Sequence, residues 1–163
     1  MNLKAYHKKR KFNETPEPKG KVLRIQKRRF VVQEHWAKAH HFDFRLEMEG
    51  VLKSWAVPKG VPEKTGIKRL AISVEDHPIE YANFEGKIPK GLYGAGRVKI
   101  FDKGNYNLIE KTKDYNLPTA FSRSLREQAP RILFTLKGKK LKGNYCLIKM
   151  KGRKNQWLLF KTK

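Results

Sequence analysis

Cysteine occurs once in the 163 residues, at Cys146. A single thiol excludes a disulfide framework and a cysteine-built zinc site. In the run NYCLIKM it reads as a small buried hydrophobe rather than a reactive group, and the chain is expected in a reducing cytoplasm. Long apolar runs are also missing. None is long enough to span a bilayer, and the polar, basic N-terminus lacks the pattern of a signal peptide. No Lys-x-Asp-Gly nucleotidyl-transfer signature occurs, so the chain alone is not a nucleic-acid ligase. The glycine-rich GLYGAG (91–96) lacks the Lys-Ser/Thr of a phosphate-binding loop and no βαβ unit frames it; a glycine-permitted turn or bulge fits better. Acidic residues are scarce, 15 Asp and Glu against 38 Lys and Arg.

That imbalance leaves a net charge of +23. Self-repulsion of this size is tolerated where a polyanion neutralises it, and nucleic acid is the expected partner. Like charge also favours a monomer away from that partner. No long basic amphipathic helix is visible, which argues against a membrane surface. The length fits one domain, and 39% hydrophobic residues with nine Phe, six Tyr and three Trp support a packed core.

Two parts are expected: a basic arm over residues 1–29 and a β domain over 30–163. The arm carries KAYHKKRKF and TPEPKG; its prolines prevent a continuous helix, and Tyr6 and Phe12 give it a means to dock, against the alternative of a solvated tail. From Phe30 the signals are strand and turn. FVVQ, FDFRLEM, VLKSWAV, RLAISVE, RVKIF, NYNLIEK, RILFTL, LKGNYCLIKM and QWLLFKT are short β-type runs, with tight turns expected at Glu49-Gly50 and at Asp102-Lys103-Gly104. Residues 76–86 read as a loop. The segment 119–128, capped by Thr119, is the best helix candidate. The expected fold is mainly β: a single antiparallel β-barrel with one or two short helices.

Chemistry concentrates in residues 30–60. On a strand, His41, Asp43 and Arg45 share one face while Phe42, Phe44, Leu46 and Met48 share the other. His41 and Asp43 lie about 7 Å apart at the backbone, close enough to converge on one ion. His35, just before them, completes a set of two imidazoles and a carboxylate suited to a divalent first-row metal. His40 points away and receives no role. From spacing alone two readings stand, a metal site and a hydrogen-bonded histidine cluster. Arg45, Lys59 and Arg69 are candidate phosphate ligands if they converge, and solvated surface cations if they do not. His77 and Tyr81, four apart in DHPIEY, offer a general acid, or an imidazolium for developing charge, and a hydroxyl.

The ordered motifs FVVQEHWAKAHHFDFRLEMEGVLKSWAVPKG and RLAISVEDHPIEYANFEGKIPKGLYGAGRVKIFDKGNY make the chain resemble the 3′-phosphoesterase domain of bacterial DNA ligase D, which also occurs in stand-alone archaeal and bacterial forms. The resemblance is strong over residues 30–106 and thinner on either side. It implies a Mn²⁺-dependent β-barrel enzyme, other divalent first-row metals being possible, that removes a terminal ribonucleoside from a 3′ end and then hydrolyses the remaining 3′-phosphate. It implies metal ligands at His35, His41 and Asp43. Phosphate-binding and catalytic positions fall at Arg45, Lys59, Arg69, His77 and Tyr81, and supporting positions at Gln33 and Glu75. In the arm, Arg10 and Glu17 match the family pattern while Lys11 replaces an aspartate, which bears on the balance between the two activities. The implied substrates are DNA or RNA–DNA 3′ ends at primer–template junctions, with a separate DNA ligase and polymerase as possible partners.

Two other readings compete. A non-catalytic nucleic-acid-binding barrel fits the charge equally but has no need of a His-His-Asp row. A non-haem iron oxygenase can use such a row, but the basic ring argues for phosphate.

Overall fold

The computed structural model describes residues 2–23, 27–111 and 130–163. The helix expected over 119–128 lies outside them. The arm opens with a short helix, α1 (Lys4–Lys8), and the strands are β1 (Arg29–Trp36), β2 (His40–Met48), β3 (Val51–Val57), β4 (Lys68–His77), β5 (Gly86–Ile88), β6 (Gly96–Lys111), β7 (Arg131–Gly138), β8 (Lys142–Lys149) and β9 (Gln156–Lys161). Their order is β1-β2-β3-β4-β9-β8-β7-β6-β5, and β1 also pairs with β6. That extra pairing closes eight antiparallel strands into a barrel and leaves β5 as an appendage of β6. Closure removes the free edges that a basic, strand-rich chain would otherwise expose.

Strict alternation decides what lies inside. Phe30 and Val32 of β1, Phe44 and Leu46 of β2, Trp55 and Val57 of β3, Phe134 and Leu136 of β7, and Leu147 of β8 join one buried cluster to which all eight closing strands contribute. The opposite face of β1–β3 is therefore the outer wall. A second cluster covers it, in which Leu3 and Tyr6 of the arm and Ile79, Tyr81 and Phe84 of the following segment pack on Val31, Val51 and Leu52. The arm thus docks. The 76–86 segment is partly ordered, as the end of β4 and a 3₁₀ turn, Ile79–Asn83. The turn at Glu49-Gly50 forms as expected, with φ of 55° and 83°.

One turn expectation fails. Asp102-Lys103-Gly104 lies inside β6, a continuous 16-residue strand that passes from β1 to β7. The turn chemistry there serves another connection. The buried Asp102 carboxylate accepts from the backbone N–H groups of Lys139, Lys140 and Leu141 at 3.1, 3.1 and 2.8 Å, holding the β7–β8 turn. A Cβ at position 104 would stand 2.3 Å from the Lys137 carbonyl oxygen, so Gly104 permits the close crossing of β6 and β7.

Candidate active site on the outer barrel wall

The β1–β2 register sets Gln33 opposite Asp43 and His35 opposite His41, while β2–β3 sets Arg45 opposite Ser54. Side chains from three adjacent strands therefore project together from the outer wall. The arm and the 77–95 segment wall them in, around a cavity of about 290 Å³ lined by Arg10, His35, His41, Asp43, Arg45 and His77, among others. A larger cavity of about 460 Å³ beside Trp55 and Trp157 contains neither the histidines nor Asp43.

At one end of the smaller cavity, one ligand atom from each of His35, His41 and Asp43 lies within 4.8 Å of the others. Hydrogen bonds fix the tautomers. His35 Nε2–H donates to the Gly94 carbonyl at 2.6 Å and His41 Nδ1–H to the Ala39 carbonyl at 2.9 Å. The free lone pairs, on His35 Nδ1 and His41 Nε2, then face the Asp43 carboxylate at 3.4 and 3.3 Å. Acceptors turned on acceptors need a positive charge between them, a proton on the imidazole or a metal ion. The ionisations show how strongly these groups are coupled. Burial opposes the Asp43 charge, but Arg45 and the two histidines outweigh it and hold the carboxyl well below the usual range. Burial also pulls His41 down, yet Asp43 lifts it above its ordinary value. The donor set fits a divalent cation held by two imidazoles and a carboxylate.

Arg45 comes next, 3% exposed. Its Nε donates to Gln33 Oε1 at 2.7 Å, Nη1 donates to Ser54 Oγ at 2.9 Å, and Nη2 stands 3.6 Å from Asp43 Oδ2. Gln33 is fixed in turn, its amide donating to the carbonyls of Tyr81 and Phe84. The guanidinium plane is locked before any ligand arrives.

The far end is built by the arm. Arg10 donates to Glu75 at 2.8 Å and to Glu17 at 3.3 Å, and its Nη2 lies 3.3 Å from His77 Nε2. Glu17 also accepts from Thr15 at 3.0 Å and from Tyr81 at 2.7 Å. Burial, then the neighbouring Arg45 and Arg10 charges, push His77 well below its ordinary value. The ring is neutral, donating from Nδ1 to the Glu75 carbonyl at 2.9 Å and accepting from Arg10 at Nε2. Burial raises the Tyr81 phenol well above its usual value, so it stays protonated. Burial likewise opposes ionised Glu75, but the Arg10, backbone and Lys9 hydrogen bonds together outweigh it and keep the carboxyl low.

Eight of the twelve expected positions line the cavity, Arg10, His35, His41, Asp43, Arg45, Glu75, His77 and Tyr81, and Glu17 and Gln33 join them through hydrogen bonds. Lys59 and Arg69 do not line it. Lys59 is exposed past the end of β3, and the Arg69 guanidinium donates to the Lys59 carbonyl. Lys11 is also outside, exposed and 3.9 Å from Glu14. His40 turns to Glu34 at 2.8 Å and stacks on Trp36. Ser54, Tyr93 and Gly94 were not singled out from the sequence. Ser54 carried a weak signal, a small hydroxyl residue beside Lys53 in a β3 whose other members are apolar.

The family model for the DNA ligase D 3′-phosphoesterase domain matches residues 33–149. The chain is 42% identical to the multifunctional non-homologous end joining protein LigD of Pseudomonas aeruginosa, over 99% of its own length and 18% of that protein. It is 42% identical to the multifunctional non-homologous end joining DNA repair protein LigD of Mycobacterium tuberculosis H37Rv and 43% identical to LigD of Mycolicibacterium smegmatis, in each case over 99% of its length and 20% of theirs. The chain therefore spans about a fifth of the length of these relatives. Among the described residues no helix is long and apolar enough to cross a membrane.

Proposed function

The chain belongs to the DNA ligase D 3′-phosphoesterase family, and we propose that it is a Mn²⁺-dependent enzyme that heals 3′ ends of DNA and RNA–DNA strands in end-joining repair. It removes a 3′-terminal ribonucleoside to leave a 3′-phosphate, then hydrolyses that phosphate to a 3′-hydroxyl. The observation that carries this reading is the pairing, in one buried cluster, of a metal-type lone-pair set with a locked guanidinium. A bare nucleic-acid binder needs the charge but not that cluster.

His35, His41 and Asp43 would hold the ion, which when bound polarises a phosphoryl oxygen and lowers the pKa of a water. Arg45 neutralises a second phosphoryl oxygen as charge builds, at no cost in reorganisation because Gln33 and Ser54 already hold it. Arg10 adds a second guanidinium at the opposite end. His77 starts neutral and accepts from Arg10. In the resting site it orients Arg10; it serves as acid by taking up the proton released from the attacking water and passing it to the leaving oxygen. Tyr81 positions the leaving oxygen through the hydroxyl that Glu17 now accepts from. Lys59 and Arg69, outside the cavity, contact phosphates further along the strand. The enzyme's high positive charge favours a monomer away from nucleic acid, and it acts in the cytoplasm alongside DNA ligase and polymerase activities.

A 5′-labelled duplex ending in one 3′-ribonucleotide, incubated with Mn²⁺ and resolved on a gel, tests the reading. Shortening to a 3′-phosphate and then to a 3′-hydroxyl is expected. Tight, salt-sensitive binding without any shortening would replace the enzyme with a binding module.

A further inference from the structure

Tyr93 stands at the rim of the cavity and is 48% exposed. Among the described residues no other Phe, Tyr or Trp side chain is exposed; the rest are buried or half-buried. The loop holding it is not free to fold it away. Leu92 N–H donates to the Pro89 carbonyl at 3.2 Å, and Ala95 N–H to the Leu92 carbonyl at 3.1 Å. The adjacent Gly94 carbonyl accepts from His35. One short loop therefore orients a metal-type histidine and presents an aromatic ring one residue away.

The ring is also set among cations. Lys9 Nζ and the Arg10 guanidinium lie over it, 4.7 and 4.9 Å from its centroid, with Lys9 also paired to Glu75 at 3.1 Å. Arg10 is further held over Tyr6 at 4.2 Å and by Glu75 and Glu17, so the charge near Tyr93 is fixed. A half-exposed ring with ion-paired cations against it, at the mouth of a cavity of about 290 Å³ that holds the His-His-Asp set and Arg45, matches a base whose phosphate enters that cavity. Base–aromatic stacking is sequence-tolerant because every base has a π-face.

We infer that Tyr93 is the stacking platform for the base of the terminal nucleotide whose 3′-phosphate enters the cavity, and so sets the preference of the site for nucleic-acid ends over other phosphoesters. The inference rests on the phosphoesterase reading above. The base is held by its face, so the four bases are accepted alike. No bond is made or broken by Tyr93; it positions the substrate.

The experiment compares two duplexes with identical 3′-phosphate ends, one with a terminal base and one with a tetrahydrofuran abasic residue. Each is hydrolysed by the wild type, Tyr93→Ala and Tyr93→Trp with Mn²⁺. The expected result is an increase in KM of about tenfold for Tyr93→Ala on the base-bearing end, with kcat nearly constant. On the abasic end the increase stays within twofold, and Tyr93→Trp restores the base-bearing KM. An equal loss on both ends, or a loss confined to kcat, would mean that Tyr93 merely supports Arg10 and would overturn the inference. Fluorescence anisotropy of the same duplexes in metal-free buffer separates the two claims. If the wild type hydrolyses neither end, the activity reading fails, and stacking then stands or falls on whether Tyr93→Ala weakens binding of the base-bearing end alone.

Discussion

Tyr81 and Glu17 are 64 residues apart in the chain, yet the buried phenol donates to the buried carboxylate at 2.7 Å. This contact makes the arm part of the site. Glu17→Ala would leave Tyr81 and Thr15 without their acceptor and strip Arg10 of one of its two carboxylates. The expected cost is about 3 kcal/mol, or roughly 6–12 °C in the unfolding midpoint. Phosphatase activity should fall with it, measured well below the variant's midpoint. Unchanged stability and activity would show that the arm is not seated as described.

Arg45→Lys should lower kcat by about 10²–10³-fold while circular dichroism stays that of the wild type. A lysine keeps the charge but cannot satisfy Gln33, Ser54 and Asp43 together, as the guanidinium does. A loss of only a few fold would mean that charge alone, not the locked fork, is what the reaction uses.

How much of this could be read in advance depended on how local the physics was. HHFDFRLEM separated its polar and apolar rows by strand periodicity, so the facing of His41, Asp43 and Arg45 was legible. Closure of the barrel followed from many short strands. Asp102-Lys103-Gly104 misled because aspartate and glycine have the same preferences whether they form a turn or support one from a neighbouring strand. The docking of Tyr6, Arg10 and Glu17 depended on contacts more than 50 residues away in the chain, which no local pattern encodes. Tyr93 was hidden inside a glycine run that read only as a turn.

Asp102→Ala isolates that misread segment. Three backbone donors lose a charged acceptor, which should cost about 3 kcal/mol and lower the unfolding midpoint by roughly 6–12 °C. Because Asp102 does not line the cavity, kcat at 20 °C should match the wild type. A selective loss of activity with normal stability would contradict the structural role.

His77 should leave a signature in stability against pH. Burial first, then Arg45 and Arg10, depress its protonation in the folded state, while the unfolded chain takes up the proton near the ordinary value of 6.5. The unfolded state then binds more protons, so the contribution is full above pH 6.5 and is lost progressively as pH falls below it. With chelator present, the difference in unfolding midpoint between wild type and His77→Asn should shift against the wild type from pH 7.5 to 5.5. Taking the difference cancels His41, whose raised value acts in the opposite sense. A constant difference across that range would show that His77 is not held neutral.

The most direct test of the central claim is calorimetric titration of Mn²⁺ into chelator-treated wild type and Asp43→Ala, with 3′-phosphatase activity followed at each addition. The account predicts one ion per wild-type chain with activity rising in step with occupancy, and neither binding nor activity in a folded Asp43→Ala protein. Full phosphatase activity in Asp43→Ala, or in the chelated wild type, would contradict it.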